Sequence, residues 1–237
     1  MTGNSPNKND KKDPRVIADV ICLGHALTVV IPEGPAAQLR RLIQARERAV
    51  DSLTVVSNQL QHLLFVIFPE FLNVMKNTSP KSAICLIKNH PAPDDIVAMG
   101  LDSLTMVLKK ISRARLGLER AKELFEAAQH SVGIHEGKRG ILIEIEHLVS
   151  EIENKSGYID TLEKQMDHYL EQIPYSRYIL SIKGIGRVIV AGLIGEVGDF
   201  KKFTTIPEIM KLAGLDLYEV SSGTHQGQRH ISKRVDP

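Results

Sequence analysis

Between positions 141 and 173 an apolar residue recurs at alternating spacings of four and three: Ile141, Ile145, Leu148, Ile152, Ile159, Leu162, Met166, Tyr169 and Ile173. Only Lys155 breaks the series. A mean spacing of about 3.5 residues keeps one stripe of a helix turned towards a partner helix, so the segment predicts a coiled-coil arm. A surface helix packed on its own domain has the same pattern; the length favours the arm. In either case a long helix needs a second apolar surface beside it.

A second long helix is predicted from Pro35 to Phe68. Leu39, Leu42, Ile43, Val50, Leu53, Leu60, Leu63 and Leu64 fall near one stripe, Arg40, Arg41, Arg46 and Arg48 crowd the first half, and Pro69 ends it. Short helices are expected at 80–88, 94–99, 102–111, 118–130 and 206–214. Residues 14–23 read as a further helix, opened by Asp13 as cap and Pro14 in the first turn. Strands are scarce; Thr28–Ile31 is the modest candidate. Residues 1–9 are polar and read as disordered.

Hydrophobic residues make up 43% of the 237 positions and aromatic ones 5%, with no Trp. That composition suits helices packed with Leu, Ile, Val and Ala better than a β-sandwich. The net charge of +2 falls short of the basic excess of a dedicated duplex-binding domain, so the local placement of cations carries more than their sum. Cys22 and Cys85 stand far apart, match no metal spacing and read as reduced thiols. Signal peptide and membrane span are not apparent, and a cytoplasmic location with no membrane partner is expected.

Three places carry possible chemistry. The first is Lys183-Gly184-Ile185-Gly186 with Arg187. Glycines there permit a tight turn into a helix whose first N–H groups attract phosphate. The arrangement suits either the hairpin of a helix–hairpin–helix, which grips a DNA backbone without reading sequence, or a tight helix–helix turn with no ligand. The second is Ser221-Ser222-Gly223 followed by THQGQRHISKR, where Arg229, Lys233 and Arg234 gather without an acid. A Ser beside Gly is most often a turn residue. Beside cations it also suits attack on a phosphodiester, whose transition state gains negative charge. The third is Asp10 and Asp13, a spacing that shares one helix face. Such a pair is either a solvated charge pair or part of a Mg²⁺ site for phosphoryl chemistry.

Taken together and in order, these segments resemble the DEDD transposases of insertion sequence family 110, also labelled 116/902. The stretch SIKGIGRVIVAGLIGEVGDFKKFTTIPEIMKLAGLDLYEVSSGTHQGQRHISKR looks like that family's C-terminal transposase domain, with its IPGIG-like turn, its E-x-GD-x-x-xF run, its AGL and its SG…ISKR close. NDKKDPRVIADV looks like the end of the family's RuvC-like, RNase H-like domain, and the middle, including NHPAPDDI, resembles its helical connection. The resemblance implies that Asp10 and Asp13 are the last two acids of the Mg²⁺-binding tetrad. It implies that Ser222 is the nucleophile for strand exchange, with Ser221 as the fallback. It also implies DNA as partner, and for some members a guide RNA from the element. Two departures stand out. The strand core that carries the first Asp and the Glu of the tetrad is absent, and Val235 stands where the family continues with Gly. The expectation from them is an incomplete copy, inactive alone.

The expected architecture is therefore mainly α. Residues 1–34 are a leader and the end of an RNase H-like domain, 35–140 a helical connection, 141–173 a coiled-coil arm joining copies of the chain into a homo-oligomer, and 174–237 a C-terminal transposase domain with a helix–hairpin–helix-like turn. Expected DNA contacts are Lys183, Gly184, Gly186, Arg187, Arg229, Lys233 and Arg234. The function expected is DNA binding, cleavage and rejoining in transposition. The rival is a non-catalytic nucleic-acid-binding module that keeps the hairpin and the coiled coil; a third reading is a purely structural coiled-coil partner.

Overall fold

The chain is mainly helical in a computed structural model that describes residues 18, 32–76, 80–203, 205–213, 217–219 and 229–231. Helix α1 runs from Gly34 to Ile67, followed by α2 (Pro69–Val74), α3 (Pro80–Asn89), α4 (Pro93–Met99), α5 (Leu101–Ser112) and α6 (Leu118–Gln129). The second long helix, α7, spans Lys138–Glu171. Then come α8 (Ser176–Leu180), α9 (Arg187–Val197), a 3₁₀ turn at Phe200–Lys202, and α10 (Ile206–Leu212). Strands β1 (Leu217–Glu219) and β2 (Arg229–Ile231) pair antiparallel, with Tyr218 opposite His230.

Proline and glycine set the helix ends. Pro35 sits in the first turn of α1. At the other end Phe68 precedes Pro69, whose ring disfavours a helical conformation in the residue before it. Phe68 takes φ −150° and ψ 67°, and Pro69 then starts α2. Gly137, at φ 73°, turns the chain into α7. In α4 the Asp95 carboxylate accepts the Ala92 N–H at 3.0 Å, satisfying an amide that the helix start leaves over.

α1 and α7 lie side by side and antiparallel. The early residues of α1 (Ala36, Leu39, Ile43) share a buried cluster with the late residues of α7 (Leu162, Met166, Leu170). Its late residues (Val56, Leu60, Leu64, Ile67) share another with Ile145, Leu148, Val149 and Ile152. α2 to α6 close over that second cluster, where Leu86, Ile96, Leu104, Leu108 and Leu124 are fully buried. Arg46 to Glu163, at 2.7 Å, crosses between the two long helices, and Lys88 to Glu153, also 2.7 Å, ties α3 to α7. Both pairs are half-exposed and fix register more than they stabilise, at about 0–1 kcal/mol each.

The predicted seam is real, and α1 of the same chain fills it. Ile145, Leu148, Ile152, Ile159, Leu162, Met166 and Ile173 are buried, while Ile141 and Tyr169 are partly so. Val149 and Leu170, which the strict seam leaves out, are buried as well. The expected short helices are all present among the described residues, each within two residues of its expected bounds. The expected helix at 14–23 and the strand candidate Thr28–Ile31 lie outside the described residues apart from Ala18, which is helical. The short ladder β1–β2 has no counterpart in the sequence reading.

α9 packs on the first turns of α1 through its small-residue face. A Cβ on Gly195 would stand 2.9 Å from the backbone of Arg40, whereas one on Gly192 would meet only a side-chain tip at 3.9 Å. Gly195→Ala is therefore expected to cost about 1–3 kcal/mol in a urea melt by pushing the two helices apart. Gly192→Ala should be neutral or gain up to about 1 kcal/mol from helix propensity. Equal melts for the two variants would contradict the close approach.

Candidate nucleic-acid interface

Pro174 ends the helical path of α7, and the chain re-forms as α8, a turn and α9. Ser176 is buried at this junction and donates from its Oγ to the Leu170 carbonyl at 2.8 Å, which fixes α8 against the end of α7. The Ile185 N–H bonds the Ile182 carbonyl at 3.1 Å and closes a four-residue turn around Lys183 and Gly184. Gly184 has φ 94°, a region that a side chain at this third turn position rarely adopts. Gly186 is extended at φ −91° and precedes the first residue of α9. Ile182, Lys183, Gly184, Gly186 and Arg187 are all exposed.

The start of α9 thus faces solvent beside a cation. The first amides of any helix have no acceptor within it and carry part of the positive end of the helix dipole. Arg187 is already engaged: its guanidinium donates to the Asp167 carboxylate of α7 at 2.9 Å. That hydrogen bond, reinforced by the charges of Asp167 and then Glu171, holds Arg187 above the usual arginine range. Its side chain remains 61% exposed, so the ion pair leaves it open to a ligand.

The exit from α9 is clamped. Gly198 ends the helix at φ 73°. The Tyr175 hydroxyl donates to the Gly198 carbonyl at 3.2 Å, and the Tyr175 ring meets Phe200 edge-on at 5.5 Å. Burial, then the charge of Asp199, pushes the Tyr175 hydroxyl up from its ordinary pKa. Asp199 accepts the Lys201 N–H at 3.0 Å, and Glu196 reaches Arg40 of α1 at 3.4 Å. The E-x-GD-x-x-xF run is thereby a structural element: Glu196 ties it to α1, Gly198 turns it, and Asp199 caps the 3₁₀ turn.

Of the expected contact residues, Lys183, Gly184, Gly186 and Arg187 come together in the turn. Arg229 lies in β2, opposite Glu219. Ser221, Ser222, Lys233, Arg234, Asp10 and Asp13 lie outside the described residues. No group of three or more His, Cys, Asp or Glu suited to a metal occurs among the described residues, and none of their helices is long and apolar enough to cross a membrane. Sequence reasoning missed Asp167 as the partner of Arg187 and Tyr175 as the clamp. No spacing signals either contact, because each joins two elements across the fold.

Gly184→Ala should destabilise the protein by about 1–2 kcal/mol, because alanine resists the left-handed region. Gly186→Ala, at an ordinary φ with open space around it, should leave the urea midpoint unchanged or nearly so. A larger loss at Gly186 than at Gly184 would contradict this turn geometry.

Comparison with known proteins bears on both ends of the chain. A model of the transposase IS116/IS110/IS902 family matches residues 176–237, and a DEDD-type IS110 transposase model matches residues 2–69. An insertion element IS110 protein of 43.6 kDa from Streptomyces coelicolor is 26% identical over 229 residues, covering 95% of this chain and 56% of that protein. From the same organism, a mini-circle transposase candidate of IS117 is 25% identical over 225 residues, covering 90% of this chain and 53% of the relative. The chain spans about half the length of the curated relatives it matches.

Proposed function

We propose that this chain, a member of the IS116/IS110/IS902 transposase family, grips DNA through the 182–187 turn and takes part in strand cleavage and rejoining when an insertion sequence moves. The observation that carries the reading is the exposed glycine turn, which sets Lys183, Arg187 and the open end of α9 side by side. A helix–hairpin–helix binds the backbone with such a turn, since amides and cations meet phosphates at any sequence. Arg229, Lys233 and Arg234 extend the contact along the C-terminal segment.

In this reading Ser222 supplies the nucleophile. Its Oγ loses its proton and bonds to phosphorus as the DNA P–O bond breaks. The departing DNA oxygen takes up a proton and leaves as a free hydroxyl, and the energy of the phosphoester is kept for rejoining. The nearby arginines and lysine offset charge in the transition state. Asp10 and Asp13 are the acids that would hold Mg²⁺ at the RNase H-like end. α1 follows that N-terminal segment directly, and α9, which leads into the C-terminal segment, packs on the first turns of α1. The start of α1 and the end of α9 lie at one end of the helix pair, which supports a site shared by the segments that adjoin them. A guide RNA and a homo-oligomer belong to the same proposal. Because the seam of α7 is filled by α1, self-association would use other surfaces of the arm.

Asp167 competes with phosphate for Arg187, so Asp167→Asn should tighten binding to unrelated duplexes about two- to fivefold. Lys183→Gln with Arg187→Gln should weaken it and lower the salt slope by roughly 0.9 per lost phosphate contact. Sequence-selective effects in fluorescence anisotropy would point to base readout instead.

The strand-exchange step is tested by supplying a complete RuvC-like domain, guide RNA and element DNA. A protein–DNA adduct mapping to Ser222, absent in Ser222→Ala, is expected by denaturing gel and mass spectrometry. An adduct at Ser221 would move the nucleophile by one residue. No adduct at all would favour the non-catalytic binding module.

A further inference from the structure

The pairing of α1 with α7 has a gap in its middle. One buried cluster stops at Val56 and Ile152, and the other begins at Ile43 and Leu162. Between them the seam positions of α7 are Lys155 and then the buried Ile159, and beside Lys155 α1 supplies only Ala45, Ala49 and Ser52. These side chains are too short to fill the layer. An open notch of about 270 Å³ results, completed by Arg48 from α1 and Tyr158 from α7.

The chemistry of the notch is that of an anion site with an aromatic wall. Of the four arginines in the first half of α1, Arg40 and Arg46 are held in ion pairs and Arg41 donates to Gln44. Arg48 is exposed and has no such partner among the described residues. Lys155 reaches one acid, Glu151, at 3.9 Å, and its side chain is 28% exposed. Glu47 and Asp51 flank Arg48 along α1 but do not line the notch. Tyr158 is 52% exposed and lines the same notch. Cations on a groove with an exposed aromatic are how proteins hold unpaired nucleotides: phosphate meets the charge, and the base stacks on the ring. At about 270 Å³ the open notch lies just below the range of enclosing ligand clefts, so it would seat one nucleotide unit against its walls rather than enclose it.

We propose that this notch binds one nucleotide of a single-stranded nucleic acid, with its phosphodiester between Arg48 and Lys155 and its base against Tyr158. The site lies on the helix pair, apart from the 182–187 turn, and does not depend on the DNA-binding reading of that turn. Lys155 breaks the apolar seam, and the recess lies beside it where α1 supplies only short side chains.

The test is fluorescence anisotropy on the full chain with a labelled twelve-nucleotide uridine RNA and the matching thymidine DNA. Tyr158→Ala should weaken binding about tenfold, while Tyr158→Phe retains it, because the ring face is kept. Arg48→Gln combined with Lys155→Leu should weaken it at least as much and lower the salt slope. The leucine completes the apolar layer, so the thermal midpoint of that variant should hold or rise while binding falls. Should the double variant fail to fold, Arg48→Gln alone and the Tyr158 pair carry the same readout. Loss on RNA alone identifies an RNA occupant, loss on DNA alone a DNA occupant, and loss on both an occupant read without regard to the sugar. Unchanged affinity in Tyr158→Ala and Arg48→Gln would overturn the proposal, as would an equal loss of single-strand binding in Lys183→Gln.

Discussion

Among the described residues, helices α2 to α9 depend, directly or through one another, on the antiparallel contact between α1 and α7. Neither helix could stand alone in water. Each carries one apolar stripe over 34 residues, and helical propensity alone gives little stability to an isolated segment. Side by side they bury those stripes in each other. Each end of the pair then takes a separate load: α2 to α6 over Leu60, Leu64 and Ile145, and α9 over Leu39, Met166 and Leu170. Removing a fully buried leucine such as Leu39 would cost about 2–5 kcal/mol by the cavity left behind. The effect would reach α9, since the two share that cluster.

On the proposed reading, this arrangement gives the long helical middle a role. DNA chemistry on the proposed reading needs an acid pair and a serine brought to one place from distant parts of the chain. A helix pair whose N-terminal start and whose α9 meet at one end would serve that need. The close approach at Gly195 and the Arg40–Glu196 pair hold α9 to α1 at that end. The Tyr175 clamp then directs the chain leaving α9.

Periodicity and punctuation made most of the helices legible in the sequence. Pro35 and Pro69 mark ends that the structure keeps, and the apolar series from 141 to 173 names seven residues that are buried. The partner of the seam was not legible. A repeat of about 3.5 residues says that a helix faces another helix, but not whose. Here the complementary stripe lay in the same sequence at 39–64, and only the fold joins them. At the turn, Gly184 and Gly186 announced the geometry, and the structure gives the positive φ to the first alone. The Asp167–Arg187 pair was invisible because an ion pair between distant elements leaves no local pattern. The ladder β1–β2 escaped notice for a different reason: three residues per strand are too few for an alternation to register.

Lys155 shows how one residue can be read at two levels. In the sequence it is a flaw in an otherwise regular seam. In the fold it separates two apolar clusters and places a cation, an arginine and a tyrosine around a recess. A leucine there would add apolar contact to the layer and remove one of the cations of the recess. Stability and the recess therefore pull on the same position in opposite directions. A helix pair selected for packing alone would fill such a layer, since interiors normally reach close packing. The facing Ala45, Ala49 and Ser52 widen the gap rather than compensate for it, so both helices contribute to the recess on which the proposed site rests.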